Sequence, residues 1–324
     1  MRLVMMGTGT FAEPTFSALI ASRHPVVGLV TQPDRPTGKE RGSTRQVGRG
    51  MKEIALERNI PVYQPESINT PEGVLALTSW QPDLLVVAAY GQILSKDVLA
   101  TTPHGGINIH ASLLPKYRGA APIAWAIYHG EKETGVTIIK MSVHLDAGDM
   151  LAQESLAIGP EESAGELEAH LAPLGARLAL QVIDQIEAGT ISGIKQDKSL
   201  ASKAPKLTKE HGLIDWSRPA HEVCNHIRAM QPWPTAYTFL HENNQAPSRA
   251  IVGHASVVSP LPEKSPLTPG MILVKDSRLL VGVGHGEMVE IITLQPSGKR
   301  AMSAAEFLRG HAIKPGSHFG AETA

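Results

Sequence analysis

One short stretch restricts the possible fold of this chain more than any other. Residues 83–89 have the sequence DLLVVAA, a near-continuous apolar run without polar alternation. A strand of that composition is buried on both faces, which occurs where helices cover both sides of a parallel sheet. The run therefore predicts a central strand of an α/β domain.

The N-terminal residues also follow a strand, a turn and a helix. Residues 2–6 are apolar except for Arg2, and the chain then breaks at a turn around Gly7. Phe16, Leu19 and Ile20 form an apolar stripe at helical spacing. Another apolar run follows at 26–31, so the order β-α-β predicts a parallel sheet.

The same segment has a second interpretation. Gly7, Gly9 and Ala12 follow the first strand, and Asp34 follows the second, which superficially matches a dinucleotide-binding fingerprint. A dehydrogenase is therefore an alternative from another reaction class. It ranks low, because many strand-to-helix links need the same tight bend.

The C-terminal third has a different pattern, with short apolar runs separated by turn residues. These runs predict strands at 237–240, 251–258, 270–274, 278–283 and 288–294. Five strands without helices between them indicate a small barrel of the OB type. The predicted fold class is thus α/β, with an N-terminal Rossmann-like parallel-sheet domain and a C-terminal small β-barrel (OB-like) domain.

The length of the chain favours two domains, because 324 residues is long for a single hydrophobic core. An amphipathic helix pattern ends near Gly189, and a polar, lysine-containing stretch follows it. The expected division is a catalytic domain at 1–189, a linker at 190–209, a C-terminal domain at 210–316 and a tail at 317–324.

Composition narrows the cellular setting. No apolar run reaches the roughly 18–20 residues of a membrane helix, and the N-terminus lacks a signal-peptide pattern. The single cysteine, Cys224, cannot form an internal disulfide and suits a reducing compartment. A cytoplasmic protein without a membrane partner is expected. Residues 201–324 carry 13 Lys and Arg against 10 Asp and Glu, weak support for an RNA-facing second half.

Three polar side chains indicate a candidate catalytic site. Asn108 and His110 are two residues apart in GINIH, so on a strand they share one face, and Asp146 follows in HLDAGD. An amide can donate to an oxygen that becomes negative, and an imidazole can transfer a proton near neutral pH. A carboxylate can orient the imidazole and favour its charged form. The set suits acyl transfer to an amine that attacks directly.

Each of these residues also has a purely structural interpretation. An Asn at a strand end commonly bonds the backbone of a turn, and a single His is usually a satisfied polar side chain. Asp146 precedes Ala147-Gly148 and suits a turn. The catalytic interpretation therefore depends on the three side chains converging in space.

Two motifs resemble those of the 10-formyltetrahydrofolate-dependent formyltransferases. Residues 108–119 match N-x-H-x-S-L-L-P-x-x-x-G, and residues 135–151 contain G-V-T-I followed by L-D-x-G-D-M-L. The resemblance covers almost the whole chain and is greatest to the members that act on methionyl-tRNA. It places the family's catalytic Asn, His and Asp at Asn108, His110 and Asp146.

The resemblance also implies a folate site beyond the ends of the central strands. The residues that it implies are Gln92, Ile93, Leu94, Ser112, Leu113, Leu114 and Pro115. The second motif departs from the usual family pattern at Ser142, Val143 and His144, on the loop of the folate side.

A long polar segment, residues 32–50, is rich in glycine and basic side chains. A loop of this length inside a compact domain is usually functional or disordered. Its sequence Q-P-D-R-P-x-G-K, like A-P-K-L-T-K-E at 204–210, resembles family segments that contact tRNA. The implied tRNA-binding residues are Lys39, Arg41, Arg45, Lys206 and Lys209. Simple solvation of charged side chains is the alternative for each.

Taken together, the resemblance implies formyl transfer from 10-formyltetrahydrofolate, a co-substrate, to the α-amine of methionyl initiator tRNA before translation initiation. No metal-ligand motif and no Walker-type loop occurs, so no metal and no nucleotide cofactor is expected. A monomer without a stable protein partner is expected. Two alternatives remain: formyl transfer to a small amine such as an amino-sugar nucleotide, and a non-catalytic RNA-binding protein.

Overall fold

The computed structural model describes residues 1–34, 50–243, 245–258 and 267–323. The chain forms two compact units. The first unit contains residues 1–126, 132–159 and 165–206, and the second contains residues 127–131, 160–164 and 207–324. Neither unit is one continuous piece of sequence.

Strands of the first unit form a sheet and a short separate ladder. Their bounds are β1 Leu3–Gly7, β2 Val26–Val30, β3 Val62–Tyr63, β4 Leu84–Ala88, β5 Gly106–His110, β6 Arg118–Gly119, β7 Glu133–Lys140, β8 Met150–Ala157 and β9 Lys203–Ala204. Within the described residues the sheet order is β3-β2-β1-β4-β5-β7-β8, and β6 pairs with β9. The pairs from β3 to β5 are parallel, whereas β7 and β8 are antiparallel to their neighbours.

The centre of this sheet is buried on both faces. Every residue of β1 and β4 is buried, which confirms the prediction from the apolar run at 83–89. The last residue of β1, Gly7, has to be a glycine, because a Cβ there would lie 2.7 Å from both the Ala12 Cβ and the Ala88 backbone oxygen. The glycine-containing turn thus has a packing explanation that does not require a dinucleotide.

Asp34, the acidic residue of the same fingerprint, also has protein partners. Its carboxylate contacts Lys52 and Gln64, and the hydrogen bond from Lys52 is the main cause that lowers the pKa of Asp34.

The bounds of the helices are α1 Glu13–Ala21, α2 Met51–Glu57, α3 Pro71–Ser79, α4 Lys96–Leu99, α5 Pro122–Tyr128, α6 Ala164–Glu187, α7 Ala220–Ala229 and α8 Ala304–Gly310. Two of the helices, α1 and α6, lie where the sequence predicts them. The Leu167, Leu171 and Leu178 side chains of α6 are buried, as its apolar stripe predicts. Among the described residues no helix combines the length and the apolarity needed to cross a membrane.

The second unit contains the predicted antiparallel barrel. Its strands are β10 Ala236–His241, β11 Ser248–Val258, β12 Ile272–Lys275, β13 Arg278–Gly282, β14 Met288–Pro296, β15 Met302–Ser303 and β16 His318–Gly320. The sheet order is β12-β13-β14-β11-β10-β16, and β15 pairs with β14. A bridge between Met271 and His318 joins the two ends of the sheet. The α/β fold class with a small C-terminal β-barrel is therefore confirmed.

Two segments differ from the roles that the sequence suggests. Residues 317–324 are expected to be a tail, but β16 pairs with β10, and Phe319 is buried against Trp216. Residues 190–209 are expected to be a linker, but β9 pairs with β6, and Ile194 pairs with Met150. Both segments use backbone hydrogen bonds to distant strands, which hydropathy does not reveal.

Candidate functional site

Asn108, His110 and Asp146 converge at the carboxyl end of β5. The first two lie on that strand, and the third lies on the loop between β7 and β8. Asn108 Nδ2 donates to Asp146 Oδ1 at 3.3 Å, and His110 Nδ1 lies 3.6 Å from Asp146 Oδ2. The side chains of His110 and Asp146 are only 5% and 9% exposed. The amide, the imidazole and the carboxylate thus form one cluster that is largely shielded from water.

Both ring nitrogens of His110 face hydrogen-bond acceptors. Nε2 donates to the backbone oxygen of Tyr117 at 2.9 Å, while Nδ1 faces the Asp146 carboxylate. A neutral imidazole carries one N–H and an imidazolium carries two. The Tyr117 oxygen can only accept, so Nε2 carries a proton in either form, and Nδ1 is the ring nitrogen that faces the Asp146 carboxylate.

The loop that carries Asp146 has a constrained backbone. Asp146 has a φ of 47°, in the left-handed region that non-glycine residues occupy only when surrounding contacts hold them. At Gly148 the chain passes so close to β7 that a Cβ would lie 1.7 Å from the Lys140 backbone oxygen. The Gly119 N–H donates to Asp146 Oδ2 at 2.9 Å. Contacts from other elements therefore fix the position of the carboxylate.

The segment at 196–204, which the sequence assigns to a linker, contributes several of these contacts. The Gln196 side chain bonds the backbone of the Asp146 loop and the Arg118 guanidinium. Ser202 accepts from the Tyr117 N–H through its hydroxyl and from the Arg118 N–H through its backbone oxygen. The segment thus lies against the chain that surrounds His110 and Asp146.

The residues implied for folate binding lie in two segments, after β4 and after β5. These strands are neighbours, and ligands of open α/β sheets bind beyond the carboxyl ends of the strands. Ile93 is 57% exposed, whereas Leu94 is buried in the core. The Gln92 side chain bonds the backbone at Ile68 and Glu66. Of the residues at 92–94, Ile93 therefore presents the largest accessible apolar surface.

Two polar side chains, Thr137 and Gln153, form hydrogen bonds with the backbone of the second folate segment, residues 112–115. The Thr137 hydroxyl donates to the Ser112 backbone oxygen at 2.6 Å and accepts from the Leu114 N–H at 3.1 Å. Gln153 Nε2 donates to Thr137 Oγ1 at 2.8 Å and to the Leu114 backbone oxygen at 3.0 Å. Ser112 and Leu114 are buried, while Leu113 and Pro115 are half-buried.

The residues implied for tRNA binding are only partly within the described structure. Lys39, Arg41 and Arg45 lie outside the described residues. Lys206 and Lys209 are exposed, and Lys209 precedes a short 3-10 helix at Glu210–Gly212.

A half-buried carboxylate on α6, Glu168, contacts the turn that follows the first strand. The Thr10 hydroxyl donates to Glu168 on α6. Burial raises the pKa of Glu168. Burial also raises the pKa of Glu13, and the charge of Glu168 raises it further. The two acids therefore form a pair of like charges that resists simultaneous ionisation.

Sequence reasoning did not find Arg118, Thr137, Gln153 or Gln196. Their contacts join positions far apart in the chain, and none belongs to a catalytic residue type with a diagnostic spacing. Thr137 alone gave a weak signal, as a hydroxyl inside the apolar strand pattern of β7.

Two family models match the chain in succession. The model described as formyl transferase matches residues 1–183, and the model described as formyl transferase, C-terminal domain, matches residues 206–312. Together they cover most of both units.

Curated relatives are similar over nearly the full length. Methionyl-tRNA formyltransferase of Alkaliphilus oremlandii (strain OhILAs) is 44% identical over 321 residues, which are 99% of this chain and 100% of the relative. The enzyme of the same name from Geobacter sulfurreducens is 43% identical over 99% of this chain and 97% of its own length.

Solved structures share the fold at much lower identity. An N-formyltransferase from Helicobacter canadensis, in complex with folinic acid and dTDP-3-aminofucose, has a TM-score of 0.66 at 17% identity. The alignment covers 91% of this chain and 99% of that one. HypX from Aquifex aeolicus, in complex with tetrahydrofolic acid, has a TM-score of 0.62 at 17% identity, over 95% of this chain and 47% of that one. With the family models and the full-length relatives, the conclusion is that the chain belongs to the formyl transferase family.

Proposed function

We propose that this protein transfers the formyl group of 10-formyltetrahydrofolate to the α-amine of methionyl initiator tRNA. The observation that carries the proposal is the convergence of Asn108 and His110 on the Asp146 carboxylate. The name of the full-length relatives, methionyl-tRNA formyltransferase, supports the choice of acceptor. The product would be N-formylmethionyl-tRNA for translation initiation.

The chemistry follows from the residue types. The neutral amine attacks the formyl carbon, the new C–N bond forms, and the carbonyl oxygen becomes negative in a tetrahedral intermediate. Asn108 has two amide protons, so it can donate one to that oxygen while the other is directed at Asp146. A free α-amine has a pKa near 7.7–8.0, so about a tenth or more of it is already neutral at pH 7 and can attack without a strong base.

His110 and Asp146 act on the second half of the reaction. When the intermediate collapses, the bond between the formyl carbon and the folate N10 breaks, and that nitrogen takes up a proton. The attacking nitrogen loses one, so the two transfers balance. We assign to His110 the support of the oxyanion and the movement of a proton toward the leaving nitrogen. Asp146, whose Oδ2 lies 3.6 Å from His110 Nδ1, would position the imidazole.

The two substrates would bind at different places: folate on the first unit, and tRNA on basic residues of the first unit, on residues 206–209 and on the C-terminal domain. Folate would bind beyond β4 and β5, with Ile93 as an accessible apolar surface and the backbone at 92–94 as the polar partner of the pterin. The tRNA would contact basic side chains, for which we propose Lys39, Arg41, Arg45, Lys206 and Lys209. The domain at 210–316 would add tRNA contacts, and the protein would act as a cytoplasmic monomer without a resident metal.

A parallel transfer assay tests the proposal. Purified protein and 10-formyltetrahydrofolate would be supplied with initiator methionyl-tRNA, elongator methionyl-tRNA or a UDP-amino sugar. We expect formylation of the initiator species. Transfer to the amino sugar alone would retain the chemistry and reject the tRNA acceptor. RNA binding without transfer to any acceptor would reject catalysis.

A further inference from the structure

We propose that Gln196 is a positioning residue for the catalytic carboxylate, an inference that rests on the proposed function. Gln196 lies in the segment that follows α6, 50 residues after Asp146. Its Nε2 donates to the backbone oxygens of Asp146 and Gly148, both at 2.8 Å. Its Oε1 accepts from Arg118 Nε at 3.0 Å and from a terminal Arg118 nitrogen at 2.6 Å.

These four hydrogen bonds define the orientation of the amide. A glutamine amide has two donor protons on nitrogen and two acceptor lone pairs on oxygen, and all four are used here. Rotating the amide by 180° would place its oxygen against two backbone oxygens and its NH₂ group against the Arg118 donors. The observed orientation is therefore the only one that the neighbours satisfy.

The Asp146 loop needs support of this kind. Asp146 has its left-handed φ of 47°, and the donors of Gln196 hold the backbone on both sides of Ala147. Arg118 is the first residue of β6. The second residue of that strand, Gly119, donates its N–H to Asp146 Oδ2. One side chain thus links the backbone of the carboxylate loop to the strand that binds its oxygen.

The effect on the reaction follows from distance. Gln196 contacts the loop backbone, whereas Asn108 and His110 contact the carboxylate oxygens. A displacement of about 1 Å in a catalytic group can lower a rate roughly 10²-fold. Loss of the Gln196 hydrogen bonds to the Asp146 loop should therefore lower kcat and leave substrate affinity nearly unchanged.

The sharpest test is the isosteric substitution Gln196→Glu. A carboxylate can still accept from Arg118, but it cannot donate, and it places negative charge against the Asp146 and Gly148 carbonyl oxygens. We expect kcat to fall by about 10²-fold, the KM of both substrates to change less than about threefold, and the melting temperature to stay close to that of the wild type. Gln196→Met removes the donors without adding charge and decides the result if the Glu variant does not fold.

The matched control is Gln295→Glu. Gln295 is half-buried in β14, and its Nε2 donates to the Lys299 backbone oxygen at 2.9 Å. The same exchange of amide for carboxylate there should leave kcat unchanged. If a folded Gln196→Glu or Gln196→Met variant kept kcat within twofold of the wild type, the positioning role would be rejected.

A spectroscopic readout separates this inference from the choice of acceptor. The ¹⁵N shifts of the His110 ring report on the partner of Nδ1 and need no substrate. We expect Gln196→Glu to change the Nδ1 resonance and Gln295→Glu to leave it unchanged. Unchanged His110 resonances in Gln196→Glu would overturn the inference, even if the wild-type enzyme used another acceptor. A wild type that formylates no acceptor would instead reject the proposed function.

Discussion

Asn108 is a sensitive point for testing the proposed chemistry. Its amide donates to Asp146, and it lies two strand positions from His110, on the same face. We expect Asn108→Ala to lower kcat by about 10²–10³-fold, the usual effect of removing one oxyanion donor. Single-turnover formyl transfer measures the chemical step directly. A folded Asn108→Ala variant with a rate within threefold of the wild type would contradict the oxyanion role.

Glu168 gives a prediction about stability rather than catalysis. Burial raises its pKa, so the folded state binds the proton more tightly than the unfolded state does. Its contribution to stability is therefore full below the unfolded pKa and is lost as the pH rises through the folded pKa. We expect Glu168→Gln to raise the melting temperature at pH 7 and to change it little at pH 4.

Two features sharpen the Glu168 measurement. Glutamine can still accept from the Thr10 hydroxyl through its amide oxygen, so the variant mainly removes the charge. It also removes the repulsion that raises the pKa of Glu13. Glu166→Gln, on an exposed position of the same helix turn, is the control. Thermal unfolding curves with equal gains at both pH values would contradict the burial argument.

At the scale of elements, the loop between β7 and β8 depends on one close approach. A Cβ at Gly148 would meet the Lys140 backbone oxygen at 1.7 Å, and backbone cannot yield as a flexible side chain can. Gly148→Ala must therefore displace the loop and move Asp146. We expect a loss of kcat of at least about 10²-fold.

Gly189→Ala is a useful comparison for that variant. Gly189 also has a positive φ, of 67°, but a Cβ there would meet nothing within 4 Å. Any effect should be limited to modest strain at the end of α6, with kcat retained. Parallel transfer assays and melting curves measure both effects. An active Gly148→Ala variant would show that the loop tolerates displacement.

The elements also show what sequence can and cannot reveal. The strands β1, β2, β4 and β7 are apolar runs, and the long helix α6 has a regular leucine stripe, so local patterns predict them. The short strands β6 and β9 have no such pattern, since each is defined by a partner more than 80 residues away. The brace formed by Gln196 depends on that pairing, so spacing along the chain could not have predicted it.

At the candidate site, too, the sequence predicted the features that have a local pattern and missed those that depend on distant contacts. Asn108 and His110 could be proposed because the period of a strand places both on one face, and a family motif contains them. Their partners Tyr117 and Gly119 act through backbone atoms, which no side-chain pattern reports. Hydropathy also failed at β16, because a three-residue strand closing a barrel resembles an ordinary chain end.

At the scale of the whole molecule, closure of the barrel depends on Phe319. Its side chain is 2% exposed and stacks on Trp216 with ring centroids 5.7 Å apart. Truncating a buried aromatic residue to alanine costs about 3–5 kcal/mol. We expect Phe319→Ala to destabilise the second unit by that amount, and Phe239→Ala, at a half-buried position of β10, to cost less.

Cys224 supplies the readout for that prediction. Burial raises the pKa of its thiol to about 12, so at pH 8 only about one thiol in ten thousand is the reactive thiolate. Labelling of Cys224 by a thiol reagent should therefore be slow in the native protein. It should accelerate when the second unit unfolds and α7, which carries Cys224, becomes accessible. Equal labelling rates in Phe319→Ala and the wild type, across increasing urea concentrations, would contradict a role for this strand in stability.

The discontinuous composition of the second unit limits how the protein can be divided. The Glu162 backbone oxygen accepts from a terminal Arg228 nitrogen at 2.9 Å, and the Tyr128 ring lies 4.8 Å from the Arg218 guanidinium carbon. Glu162 and Tyr128 precede the last 118 residues and yet belong to the same unit. A single proteolytic cut after residue 206 would place these partners in different polypeptides, and a recombination crossover there would take them from different parents. In chimeras between family members, the segments 127–131 and 160–164 should therefore come from the same parent as residues 207–324.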